Sequence, residues 1–120
     1  MLSRWTDFLT ADGEKEWRNR DTEFENTINT REDLLAAWNK GWNCVFDAIR
    51  PLTVEDLSRS ILIRDEPHTV LEAINRQMSH YAYHIGQIVY IGKMTKDDSW
   101  TSLSIPKGGS AAYNTEKFSK

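Results

Sequence analysis

The chain has 120 residues, 39% of them hydrophobic, which is length for one domain around one core. Fifteen Lys+Arg against eighteen Asp+Glu leave a net charge of −3. That balance argues against a nucleic-acid binder, whose affinity rests on neutralising phosphates, and against docking on an anionic membrane. No run reaches the roughly 18 apolar residues of a membrane span, residues 1–20 lack a signal-peptide pattern, and Cys44 is the sole cysteine. A protein without an internal disulfide framework reads as cytoplasmic.

Leu2, Trp5, Phe8 and Leu9 recur at helical spacing and predict a helix over 2–10. Nothing precedes it to cap it, so it reads as the end of a helix whose beginning is missing. Residues 11–29 are polar around Trp17, Phe24 and Ile28, which predicts an ordered surface loop or a loop with one short turn. Thr30 with Asp33 starts the second helix, and Pro51 ends it at Arg50. Leu34, Leu35, Trp38, Trp42, Val45, Phe46 and Ile49 share one face of it. Cys44 falls opposite that face, which predicts an exposed, incidental thiol.

Thr53 opens a further turn to Leu57. The β-branched stretch 60–64 followed by Asp65, Glu66 and Pro67 then predicts a short β-hairpin between residues 60 and 69. Thr69 and Glu72 form a capping box for the longest helix, which runs to about Met94. Leu71, Ile74, Met78, Tyr81, Ile85, Ile88 and Gly92 alternate spacings of three and four, the seam of a bundle helix, and Gly92 permits close approach. Residues 95–120 read as an extended polar tail, with Pro106, Gly108 and Gly109 against a helix through its middle. Two full helices and a fragment do not close a bundle core, so either the tail or a second copy of the chain supplies the missing wall.

His80 and His84 carry the chemical signal. Spacing i, i+4 places both imidazoles on one helical face, as two ligands of one metal ion require, with Gln77 and Gln87 on the flanking row. His68 lies twelve residues before His80, about 18 Å along a helix, so it serves as turn or cap packing instead. Trp5, Trp38 and Trp42 form aromatic rows that suit core packing or a water-excluding pocket wall. No phosphate-binding loop, dinucleotide fingerprint, paired-cysteine motif or nucleophile elbow occurs, and no catalytic residue is assigned.

The stretch from His80 to Ile88 resembles the metal-binding helix of the DinB/YfiT-like superfamily. The resemblance is closest to an uncharacterised branch. It extends through Trp17, Arg18, Asp21, Glu23 and Phe24, through Ile63, Arg64 and His68 to Val70, and through Ser102–Gly108 to Tyr113 and Asn114. It implies an all-α, up-down helical bundle, one domain over 1–120, often dimeric, in which three histidines bind a divalent metal. His80 and His84 match the second and third. The first family histidine lies just before the position of Met1, so the chain resembles a member truncated at its first helix.

The resemblance implies a divalent ion, zinc or nickel, and a metal-dependent thiol transferase acting on a low-molecular-weight thiol, or a hydrolase. Two other readings stand beside it. One is a catalytically inactive, metal-free homodimeric remnant of the bundle. The other is a small-molecule binding module built on the aromatic rows.

Overall fold

Three threonines set where helical segments begin. Thr30 Oγ1 accepts from Asp33 N–H at 3.1 Å, and α2 follows over Arg31–Ile49. Thr53 and Asp56 cap each other reciprocally ahead of a 3₁₀ turn, Glu55–Ser58. Thr69 and Glu72 do the same, with Glu72 Oε2 accepting from Thr69 N–H at 2.7 Å, and α3 runs over Val70–Lys96. The computed structural model describes residues 1–25 and 27–119. It is mostly helical, with a small two-stranded antiparallel sheet. In chain order it holds α1 (Leu2–Trp5), a 3₁₀ turn at Asp21–Phe24, α2, the second 3₁₀ turn, β1 (Ser60–Ile63), β2 (Glu66–Thr69), α3, a 3₁₀ turn at Asp97–Ser99, and α4 (Ser110–Phe118).

The hairpin forms where the sequence predicts it, with Ser60 opposite Thr69 and Ile63 opposite Glu66. Its two-residue turn puts Arg64 at φ 56° and Asp65 at φ 61°, the left-handed pair that matches strand twist. Neither residue is glycine, so the turn needs support. Asp12 supplies it from far along the chain. Its Oδ1 accepts from the N–H groups of Arg64 at 2.9 Å and Glu14 at 2.6 Å, and its Oδ2 from Asp65 at 2.8 Å. Those N–H groups, Asp65 foremost, hold the Asp12 carboxyl below its usual range.

The chain falls into two compact units, Met1–Met78 and Ser79–Lys120, with the boundary inside α3. In the first, the core joins Trp5, Phe8, Val45, Ile61, Ile63, Val70 and Ala73. The expected helix over 2–10 stops at Trp5. Thr6 is extended and Asp7 takes φ 50°, which breaks the helical ladder. Trp5 and Phe8 are buried regardless, their rings 4.6 Å apart.

The covered face of α2 also differs from the expectation. Gly41 and Val45 are buried, and Cys44, Ala48 and Ile49 pack half-buried on the core, while Leu34, Leu35, Trp38 and Phe46 are exposed. The reason is size. Gly41, Cys44, Val45 and Ala48 make a low row on which α1 can sit, and Met1 Sδ lies 3.1 Å from where a Gly41 Cβ would stand. Cys44 is therefore not the exposed thiol that the periodicity predicts. Its Sγ lies 3.6 Å from Thr6 Oγ1.

The second unit holds the rest of α3, the 3₁₀ turn and α4. Residues 95–120 are thus not an extended tail throughout. Asp97 at φ 45° turns the chain back, and the Trp100 ring lies over Gly92, 3.0 Å from where a Cβ would be. Gly108 at φ 83° and a Gly109 N–H to Pro106 carbonyl bond complete a turn, after which nine residues are helical. The proline and glycines do stop a helix where expected, but a new one begins beyond them. Along α3, Val70 and Ala73 are buried, whereas Leu71, Met78, Ile85 and Ile88 of the predicted seam are exposed. Among the described residues no helix is long and apolar enough to cross a membrane.

Candidate functional site

α3 brings His80 and His84 together. Their Nε2 atoms lie 3.2 Å apart, and the rings meet edge to face with centroids at 4.5 Å. His84 Nδ1 pairs with Gln87 Oε1 at 2.9 Å, and Gln87 Nε2 donates to the Tyr83 hydroxyl at 3.0 Å. Spacings of three and four residues along one helix generate this chain from sequence alone. The His84 tautomer that donates from Nδ1 to Gln87 Oε1 is the one that leaves an Nε2 lone pair toward His80. Both rings are exposed.

The geometry admits a metal ion. Two nitrogens bound tetrahedrally at about 2.0–2.1 Å stand roughly 3.3 Å apart, close to the separation observed. Gln87 occupies the place of the outer partner that fixes a ligand's tautomer. Its flanking position is legible in the sequence. The Tyr83 hydroxyl that orients it carries only the weaker signal of an i, i+4 spacing. Among the described residues, no group of three His, Cys, Asp or Glu side chains is placed to hold an ion. His68 sits in β2 opposite Ile61, its Nε2 3.9 Å from Glu66, outside hydrogen-bond reach.

The aromatic row of α2 is continuous. Trp38 and Trp42 centroids are 5.8 Å apart, Trp42 stacks on Phe46 at 5.6 Å, and the Arg50 guanidinium lies 5.4 Å from the Phe46 centroid. An open groove of about 400 Å³ runs beside Met1, Trp17, Arg18, Glu23 and Gly41. Arg18 bonds both oxygens of Glu23, at 2.8 and 2.9 Å, and both of Glu14 at 3.2 Å. The Arg18 guanidinium holds Glu23 below its usual range, and burial lowers the Met1 amine. A second groove, of about 680 Å³, is lined by Trp5, Thr6, Lys40, Asn43 and Cys44 among others. A thiol with one hydroxyl neighbour and no base among its hydrogen-bond partners is not a built nucleophile.

The fold and the histidine pair define a small, mostly helical protein with an exposed pair of imidazoles on its longest helix. Residues 1–109 match the model of a family described as "Protein of unknown function (DUF1572)", and the chain belongs to that family. No curated protein and no solved structure matches it.

Proposed function

We propose that the chain is a divalent-metal-binding protein of the DinB/YfiT-like type, with His80 and His84 as two ligands of one zinc or nickel ion. Its chemistry is that of a thiol transferase acting on a low-molecular-weight thiol, or of a hydrolase. The observation that supports this reading is the convergence of the two Nε2 atoms at 3.2 Å, with Gln87 on the far nitrogen of His84. An ion held there supplies Lewis acidity that lowers the pKa of a thiol or water. The protein's part is to present unprotonated nitrogens from a rigid helix. A third protein ligand comes from a partner chain in this reading, or solvent completes the shell.

Metal per chain, measured after purification without a histidine tag and dialysis against zinc or nickel, tests the proposal. The expected result is one bound ion in the parent and loss of binding in both His80→Ala and His84→Ala. Absence of bound metal in the parent, or retention in both variants, overturns it.

The second reading, a metal-free homodimeric remnant with a structural or small-molecule-binding role, draws on the exposed row of Leu34, Trp38 and Phe46 on α2. Oligomer formation without bound metal favours it over the first.

A further inference from the structure

His80 and His84 offer two nitrogens, whereas zinc in a closed protein site takes four ligands. The rest of the chain does not make up the difference. Among the described residues no third His, Cys, Asp or Glu side chain joins the pair. The amide of Gln87 is already engaged, its oxygen with His84 Nδ1 and its nitrogen with the Tyr83 hydroxyl. The remaining ligands therefore come from water or from another molecule.

The helix around the pair carries no charge. From Gln77 to Gly92 there is no Asp, Glu, Lys or Arg, although Tyr83, Ile85, Ile88, Tyr90 and Ile91 are all exposed. At spacings of three and four, Gln77, His80, His84, Ile88 and Ile91 form one row, in line with the Val70 and Ala73 that α3 buries at its start. Along that row Ile88 and Ile91 leave 58% and 62% of their surface open. An exposed apolar row of this kind marks an interaction surface. Free of charge, it meets a copy of itself without like-charge repulsion. A two-fold axis across the row then sets a second His80 and His84 opposite the first, as a self-complementary contact requires.

We propose that two copies of the chain share one divalent ion, each contributing His80 and His84 to a shell of four imidazole nitrogens. Imidazole suits both zinc and nickel, and four protein ligands close a zinc shell. The inference rests on the reading of His80 and His84 as metal ligands and adds the identity of the other two. Metal and dimerisation are then linked in a particular way. Where the ion is scarce, each ion gathers two chains. Where it is in excess, each chain takes its own, water fills the other positions, and the pair comes apart.

The test is sedimentation velocity of the full chain, purified without a histidine tag, as zinc is added from none to several ions per chain. The dimer fraction is expected to peak at one ion per two chains and to fall again once zinc exceeds one per chain. Between metal-free and half-loaded protein the dimer Kd drops by about a hundredfold, the factor that linkage gives when the pair holds the ion about a hundred times more tightly than one chain does. His80→Ala and His84→Ala, both at exposed positions, abolish the peak while circular dichroism stays that of the parent. A chain that binds one ion and stays monomeric at every ratio overturns the shared site and leaves the two histidines as ligands. A dimer whose population is indifferent to zinc, or to both histidine variants, overturns the sharing. Absence of bound zinc at every ratio overturns the sharing and the metal reading together.

Discussion

Asp12→Ala removes the acceptor of three backbone N–H groups, those of Glu14, Arg64 and Asp65, at 2.6, 2.9 and 2.8 Å. Bonds to a charged acceptor contribute about 1.5–3 kcal/mol where sheltered. The turn is solvent-exposed, which reduces each to roughly 0.7 kcal/mol and the set to about 2 kcal/mol. Two non-glycine residues at positive φ cost about 1–2 kcal/mol each, so the Asp12 bonds offset a strain of their own size. The melting temperature of the variant falls by about 8 °C, at about 4 °C per kcal/mol for a domain of this length.

Urea unfolding of the parent, Asp12→Ala and Asp12→Ala/Asp65→Gly measures this. Glycine at position 65 relieves one strained residue, and the double variant recovers about 1 kcal/mol. The pH dependence fixes the cause. The folded carboxyl lies below its unfolded value near 3.8. Its contribution is therefore complete above that value and is lost as pH falls through the folded one. The gap between parent and variant closes in strong acid. A gap under about 0.5 kcal/mol at neutral pH, or one that persists after the carboxyl is protonated, refutes the reasoning.

Gln87→Leu leaves the helix intact and weakens zinc or nickel binding by about 10–100-fold, because His84 loses the partner that holds its tautomer; isothermal titration measures it. Gly92→Ala is near neutral in stability. The gain in helix propensity of about 1 kcal/mol is offset by a Cβ 3.0 Å from the Trp100 ring, and the tryptophan emission shifts as the ring moves. Arg59 and the Thr53 cap hold Asp56 at about 2, so its stabilisation is present above its unfolded value of 3.8 and disappears as pH falls toward 2. Asp56→Asn abolishes that part of the acid transition seen by circular dichroism.

What the sequence made legible is what neighbours along the chain decide. Thr30, Thr53 and Thr69 act on N–H groups three residues away, and the hairpin turn lies between adjoining strands, so pattern alone locates them. The His80, His84 and Gln87 constellation is likewise contained in two turns of one helix. The Asp12 anchor spans 52 residues to Arg64, and no periodicity carries that information. The covered face of α2 is hidden from the sequence for a different reason. Its apolar arc is wider than its contact, and packing selected the small row of Gly41, Cys44 and Ala48 over the bulky row of Leu34, Trp38 and Phe46. Likewise Asp7 ends α1 through one left-handed residue, a choice that helical spacing cannot register.

That selection bears on how stability is distributed. Among the described residues the core cluster lies in the first unit, with Val70 its one fully enclosed large side chain. On α2, Trp38 and Phe46 expose about half their surface, and on α3 Ile85, Ile88, Ile91 and Met94 expose half or more. Apolar faces of this kind mark interaction surfaces in stable proteins. If a second copy covers them, as the homodimer expectation holds, unfolding and dissociation are linked, and each tenfold rise in protein concentration raises the melting temperature by about 3 °C. Trp38→Glu separates this from folding itself. Half-exposed in a single chain, position 38 accepts the charge with little change in monomer stability, while the concentration dependence disappears. A melting temperature constant from 1 to 100 μM (roughly the range over which a weak dimer of ordinary interface size would assemble), together with sedimentation at the 13.9 kDa of one chain, rules the covered face out.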